Sequence, residues 1–166
     1  AIASKLANQL CSKPEYSFIR MDRMPTPLLA QKFEQSKIAT GYRFLNNGSN
    51  KCIISRGYMS FKVQELFKKS KSLKKYAHID LFKSKPIPKN LRNILKRFKK
   101  IVLVDEQVER SSLSLPISHF MIKNDIKSNL TCLNLSERYA FENGGRDYLL
   151  SINGLSDREI VHALET

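Results

Sequence analysis

Few residues of this chain belong to the types that do chemistry, and their spacing limits what they could do. The three histidines, His78, His119 and His162, are scattered, with no HExxH and no Cys/His grouping of metal-site spacing. Cys11, Cys52 and Cys132 lie far apart and form no CxxC pair. No GxSxG elbow, GxxxxGK[ST] loop or GxGxxG turn is present, and the one glycine pair, Gly144-Gly145, comes late, just before Arg146. His78 stands in a strand-like run, where a hydrogen-bonded core or sheet histidine is the plain expectation. By these tests the chain carries no self-contained active site. Two charged groups remain. Arg20 and Arg23 flank Asp22, and either guanidinium could offer a two-pronged donor to a phosphate. Asp105-Glu106 ends an apolar run, the place where open α/β sheets put ligands and interfaces. For each, the alternative is a solvated loop charge.

The elements that must position these groups alternate from about residue 50 onward. Cys52-Ile53-Ile54-Ser55 is a short apolar run ending at Gly57, followed by Met59, Val63, Leu66 and Phe67 at helical spacing. Residues 76–82 read as a strand, stopped by the Lys-Pro-Ile-Pro of 85–88. Ile87, Leu91, Ile94, Leu95 and Phe98 then form one helical face. Ile101-Val102-Leu103-Val104 is the continuous β-branched run of a strand covered on both faces. A third helix carries Leu113, Ile117, Phe120 and Met121, with Ser114 as its N-cap. Leu130 to Leu135 reads as another buried strand. Ser156-Asp157-Arg158-Glu159 is a capping box, with Leu155 and Ile160 as its hydrophobic staple. Strand-helix alternation of this kind predicts βαβ units and a mostly parallel sheet. Residues 1–49 stand outside the rhythm: a helix to about Leu10, a strand over Tyr16 to Met21, then a linker ending in the polar turn Asn46-Asn47-Gly48-Ser49-Asn50.

Composition bounds the class. At 166 residues, 42% hydrophobic and 27% charged, the chain suits one soluble domain and is too apolar for disorder. No run approaches the ~18 apolar residues of a membrane span, and no signal segment is evident. The odd cysteine count fits a reducing compartment, the cytoplasm. The net charge of +14 is uneven: fourteen of the 29 basic side chains fall in residues 62–100 beside only Glu65 and Asp80, whereas residues 101–166 are net acidic. That Lys-rich stretch could hold nucleic acid or another polyanion. However, it contains only two arginines, Arg92 and Arg97, and lacks the aromatic-glycine interleaving of an RNA-binding sheet. A solvated helix face is the simpler reading, and a nucleic-acid partner is not expected.

The order of the motifs resembles a family. Tyr16-Ser-Phe-Ile-Arg-Met-Asp-Arg comes first, then the polar turn and Lys51-Cys-Ile-Ile-Ser-Arg-Gly-Tyr-Met. His78-Ile-Asp-Leu-Phe-Lys-Ser-Lys-Pro-Ile-Pro, Ile101-Val-Leu-Val-Asp-Glu and Asn143-Gly-Gly-Arg-Asp-Tyr-Leu-Leu follow. Together they resemble the C-terminal domain of transketolase-type thiamine-diphosphate enzymes. That domain is shared with 1-deoxyxylulose-5-phosphate synthase and the beta subunits of 2-oxo-acid dehydrogenases. Each motif is loose alone; the succession of six, spread over nearly the whole chain, carries the likeness.

The resemblance implies a three-layer α/β/α fold with a mostly parallel five-stranded sheet and one antiparallel strand. It implies residues 1–23 as the tail of a preceding pyrimidine-binding domain, 24–50 as linker and 51–166 as the C-terminal domain. The parent enzyme would use thiamine diphosphate and Mg2+, held by the two preceding domains, and would move a two-carbon ketol unit between sugar phosphates. This chain alone would be inactive and bind no cofactor, serving as scaffold and subunit contact for the thiamine-binding domains or subunits of a homodimeric parent. By the same resemblance Arg23 binds the substrate phosphate, with Arg20 the first of the pair. Most members carry Gly-Gly-Leu-Gly where this chain has Ser111-Ser112-Leu113-Ser114, so any contact resting on those glycines must be made differently here.

Overall fold

A computed structural model describes residues 2–12, 16–27, 29 and 35–166, with the backbone alone for 35–37. The two most apolar runs become the centre of the sheet. β2 (Lys51–Ser55) and β4 (Lys100–Val108) lie side by side and parallel, with Ile53 opposite Val102 and Ile54 opposite Leu103. β3 (Ala77–Asp80) pairs parallel to β2 on its other side, and β5 (Asn129–Leu135) parallel to β4. β1 (Arg43–Asn46) closes the β3 edge as the single antiparallel strand, giving the order β1-β3-β2-β4-β5. The predicted mostly parallel five-stranded sheet is present.

Strand alternation then divides the apolar residues between two faces. Ile54, Ile79, Ile101 and Leu103 meet Leu91 and Leu95 of α3 (Leu91–Leu95) and Ile117 and Met121 of α4 (Ser114–Lys123). Ile53, Val102 and Val104 meet Met59, Val63 and Leu66 of α2 (Tyr58–Lys69), Leu150 of α5 (Arg146–Ile152), and Ile160 and Leu164 of α6 (Asp157–Glu165). The result is three layers. Each fully buried Leu or Ile contributes roughly 1.5–3 kcal/mol, so the two clusters supply most of the driving force for the sheet. A further helix, α1 (Ile2–Ser12), has no buried residue.

Four local expectations need correction. The stretch assigned to the linker, 24–50, contains β1, with Leu45 buried at 4% exposure. Its four residues carry no readable period, and pairing with β3 decides their state. Tyr16 to Met21 is not a strand: among the described residues it has no ladder partner, and Tyr16 and Phe18 are exposed. A lone strand is unstable without a neighbour. β5 is half-buried rather than buried, because it is the sheet's edge. Ser114 is the first residue of α4 and not its cap. Instead Ser112 Oγ accepts from the Ser114 amide at 2.9 Å, and Asp105 Oδ2 accepts from the Leu113 amide at 2.8 Å. Ser112 and Asp105 thus satisfy the first amides at the start of α4, and the Asn134 side-chain amide of β5 donates to Ser114 Oγ at 2.8 Å.

The capping box is present as read: Ser156 Oγ accepts from the Glu159 amide at 3.2 Å, and Glu159 Oε2 accepts from the Ser156 amide at 2.8 Å. The polar turn between β1 and β2 runs against β3. A Cβ on Gly48 would stand 2.2 Å from the Tyr76 carbonyl carbon, so the close approach requires glycine there.

Candidate functional site at the carboxyl end of the sheet

The chemistry-bearing side chains gather where the parallel strands end, in two layers of different burial. The inner layer is a closed relay. Gln64 Nε2 and His78 Nδ1 are 2.8 Å apart, and His78 Nε2 and Ser55 Oγ are 2.7 Å apart. Since the Gln64 side-chain nitrogen can only donate, Nδ1 accepts, and Nε2–H donates to Ser55. Ser55 Oγ then reaches Ser60 Oγ at 2.9 Å, Ser60 donates to Asp80 Oδ1 at 2.8 Å, and Arg43 Nε donates to Asp80 Oδ2 at 2.9 Å. His78 is wholly buried, and burial, helped by the Arg43 charge, pushes its pKa down to about 3. Burial also raises the Asp80 carboxyl against the opposing pull of Arg43 and Ser60. Ser, His and Asp here form no hydrolytic triad. The aspartate touches the second serine rather than the imidazole, and Ser55 is fully buried. The relay is structural: it ties α2, β2 and β3 to β1 through Arg43. His78 is the satisfied sheet histidine expected from its context.

The outer layer is less buried, although Asp105 within it is covered. Arg56, just past β2, reaches Asp105 with Nη2 at 2.7 Å and Nε at 3.1 Å, and donates to Ser84 Oγ at 3.0 Å. Arg146, at the start of α5, donates through Nε to Glu106 Oε1 at 2.8 Å, and its Nη2 also bonds Oε2. Its Nη1 reaches Asp22 Oδ2 at 2.6 Å, and its guanidinium carbon stands 3.8 Å from the centre of the Tyr58 ring. Tyr58 donates its hydroxyl to Asp147 Oδ1 at 2.9 Å, and Lys62 bridges Asp147 and Asp157. Desolvation works against the Arg146 charge, but the bonds to Glu106 and Asp22 outweigh it and raise its pKa. The Arg146 hydrogen bond holds Asp22 below the usual carboxylate range. Asp147 is likewise lowered, its Tyr58 and Lys62 contacts exceeding its desolvation.

Both carboxylates singled out in the sequence, Asp105 and Glu106, are therefore taken up by arginines. Arg20 and Arg23 lie exposed in segment 16–27, which has no regular secondary structure and whose Asp22 comes to the same end of the sheet. Asp22 pairs with Arg146 and not with Arg23. From the sequence no role attached to Arg56, Tyr58 or Arg146, and Lys62 counted only within the Lys-rich 62–100 stretch. The available signal was that Arg56 and Arg146 lie inside the Ser-Arg-Gly-Tyr and Gly-Gly-Arg-Asp stretches, but their carboxylate partners are 40 to 124 residues away in the chain.

Among the described residues no three His, Cys, Asp or Glu side chains come together to hold a metal ion. Two surface concavities, one on α6 around Asp157 and His162 and one around Gln64 and Lys74, are lined by neither arginine of the pair nor by Asp105 or Glu106. Among the described residues these side chains do not make a cradle for thiamine diphosphate with its metal. Cys52 is buried, which raises its thiol pKa, while Cys132 on the edge strand is half-buried and Cys11 exposed. No helix is long and apolar enough to cross a membrane among the described residues.

Strand order and the antiparallel edge strand make the chain an α/β domain with the fold of a transketolase C-terminal-like domain. The solved structure that carries this comparison is described as a split-gene transketolase, an inactive beta4 tetramer. It superposes with a TM-score of 0.69 at 19% identity, over 86% of this chain and 46% of that one, so this chain spans about half of that chain's length. No protein-family model matches the sequence, and no curated protein matches it.

Proposed function

We propose that this chain is the C-terminal part of a transketolase-like transferase that moves a two-carbon ketol unit between sugar phosphates. Thiamine diphosphate and Mg2+ would be held by other domains or subunits of a homodimeric, cytoplasmic parent. This part would scaffold the assembly, and its direct contribution to the site would be Arg23, seconded by Arg20, on the substrate phosphate. The shared fold is the observation that carries this reading. The exposure of both arginines, in a segment whose Asp22 reaches the carboxyl end of the sheet, supports their assignment, because a phosphate dianion needs accessible, fork-shaped donors.

The test is substrate selectivity in the complete enzyme. A charge-assisted contact of this kind is worth about 1.5–3 kcal/mol, or roughly ten- to a hundredfold in affinity. Arg23→Ala should raise KM for phosphorylated substrates by that factor, well beyond its effect on unphosphorylated analogues. An equal loss on both classes would make Arg23 structural and remove it from the site.

The second reading is a polyanion-binding module on the Lys-rich 62–100 surface. It is favoured by the crowding of Lys51, Lys75 and Lys100 around Tyr76 and the amino ends of the strands, where Lys51 helps depress Lys100 after desolvation. If that surface is only solvated, RNA or DNA binding should collapse between ~50 and ~200 mM salt through counterion release. Tight binding that persists at the higher salt would favour the module.

A further inference from the structure

The outer charge layer contains one arrangement that goes beyond a surface ion pair. Exposed pairs usually contribute little, since two long side chains must be ordered for a screened attraction. Arg146 is already ordered. Glu106 holds its guanidinium from one side with two bonds, and the Tyr58 ring lies 3.8 Å from the guanidinium carbon. The remaining prong, Nη1, points to Asp22 at 2.6 Å. Among the described residues this is the one ion pair between segment 16–27 and the body of the domain. Tyr16, Phe18, Met21 and Met24 of that segment are all exposed, so apolar burial does little to hold it.

Asp22 uses its two oxygens separately. Oδ2 accepts from Arg146, while Oδ1 accepts from the Met24 amide at 3.1 Å. The second bond closes a short side-chain-to-backbone turn around Arg23. A single carboxylate therefore both fixes the local backbone that bears Arg23 and fastens it to the rigid end of β4. We propose that Arg146 is a positioning residue for the phosphate-binding arginines, acting through Asp22 to set the turn that carries Arg23 and the adjoining chain that carries Arg20. This rests on the reading of Arg23 as the phosphate ligand. The proposal adds that the ligand's placement is imposed from residue 146, across the full width of the sequence.

The experiment uses Asp22→Asn and Arg146→Gln, separately and together, beside Arg23→Ala. In the complete enzyme, KM is measured for a ketose phosphate and for an unphosphorylated 2-hydroxy ketone. In the full chain, the rate of trypsin cleavage after Arg20 and Arg23 is measured under native conditions. Asp22→Asn removes the ionic link while leaving Arg146 paired with Glu106, so it guards against misfolding of the Arg146 variant. Expected are KM rises for the phosphorylated substrate at least fivefold larger than for its unphosphorylated counterpart in each single variant. The double variant should be no worse than the poorer single, as for residues acting through one link. Cleavage at both arginines should accelerate severalfold as the segment is released. If Arg23→Ala is selective for phosphorylated substrate and Asp22→Asn is not, the positioning role is wrong while the phosphate assignment stands. If Arg23→Ala is unselective, the phosphate reading fails and this proposal goes with it. Unchanged cleavage in Asp22→Asn would also overturn it.

Discussion

The two ends of the sheet treat charge in opposite ways. At the carboxyl end acids and bases are interlocked: Arg43 with Asp80, Arg56 with Asp105, and Arg146 with both Glu106 and Asp22. At the amino end Lys51 and Lys100 occupy paired positions on adjacent strands as like charges, and Lys75 lies close by over the Tyr76 ring. Lys51 finds its compensation in backbone rather than in carboxylate, donating to the Leu164 and Glu165 carbonyls at 2.8 and 2.9 Å. Those carbonyls are at the negative end of α6. Charge at the carboxyl end therefore determines which elements meet, whereas charge at the amino end mainly decorates elements already placed by apolar packing.

Breaking the inner relay should have the largest effect. Asp80→Ala removes the buried carboxylate that accepts from both Arg43 and Ser60, a change that typically costs about 3–5 kcal/mol. Urea unfolding should show that loss as a lower midpoint, and a shift worth under ~1 kcal/mol would mean that β1 is held by packing alone.

The relay also predicts a pH dependence. His78 is neutral in the folded chain, with a pKa lowered to about 3, against about 6.5 when unfolded. The unfolded chain thus binds the extra proton first. The contribution of neutral His78 is complete above pH ~6.5 and is lost as pH falls toward 3, with a slope of about 1.4 kcal/mol per unit. The raised carboxyl of Asp80 acts in the opposite sense at the acidic side, so the diagnostic is the difference between the native chain and His78→Gln. That difference should shrink steadily below pH 6.5. Parallel pH profiles would show that the imidazole titrates freely.

The amino end should respond least, and unequally. Lys51→Gln loses the contact with the α6 carbonyls, worth about 0.3–1 kcal/mol. Lys100→Gln removes a like-charge neighbour and should stay within about 0.5 kcal/mol of the native chain. Thermal melts at low salt can separate the two; equal losses would erase the distinction between a lysine that caps a helix and one that does not.

What was legible follows the range of the interactions. Ile101 to Val104 announced a buried strand because a strand covered on both faces needs an unbroken apolar run, and Cys52 to Ser55 stood out as a short apolar run. Ser156 to Glu159 announced the start of α6 because a capping box closes within three residues. β1 was not legible. Arg43-Phe44-Leu45-Asn46 is short and mixed, and it is a strand because Arg43 falls opposite Asp80 and Phe44 opposite Ile79.

The candidate site divides along the same line. Arg20, Arg23, Asp105 and Glu106 could be picked out as charges at the ends of apolar segments, and the family resemblance pointed to the first two. By itself the sequence determined the alternation of strands and helices, the two-faced core and the placing of most cations in residues 62–100. Those features depend on neighbours within a few residues, where composition and period are sufficient. Only the tertiary structure decided that Asp22 belongs to Arg146, that Arg56 absorbs Asp105, and that Ser55, Ser60, His78 and Asp80 share one relay. Charges and hydroxyls have no periodic signature of their own. Their partners are set by strand register and helix docking, which bring together residues far apart along the chain.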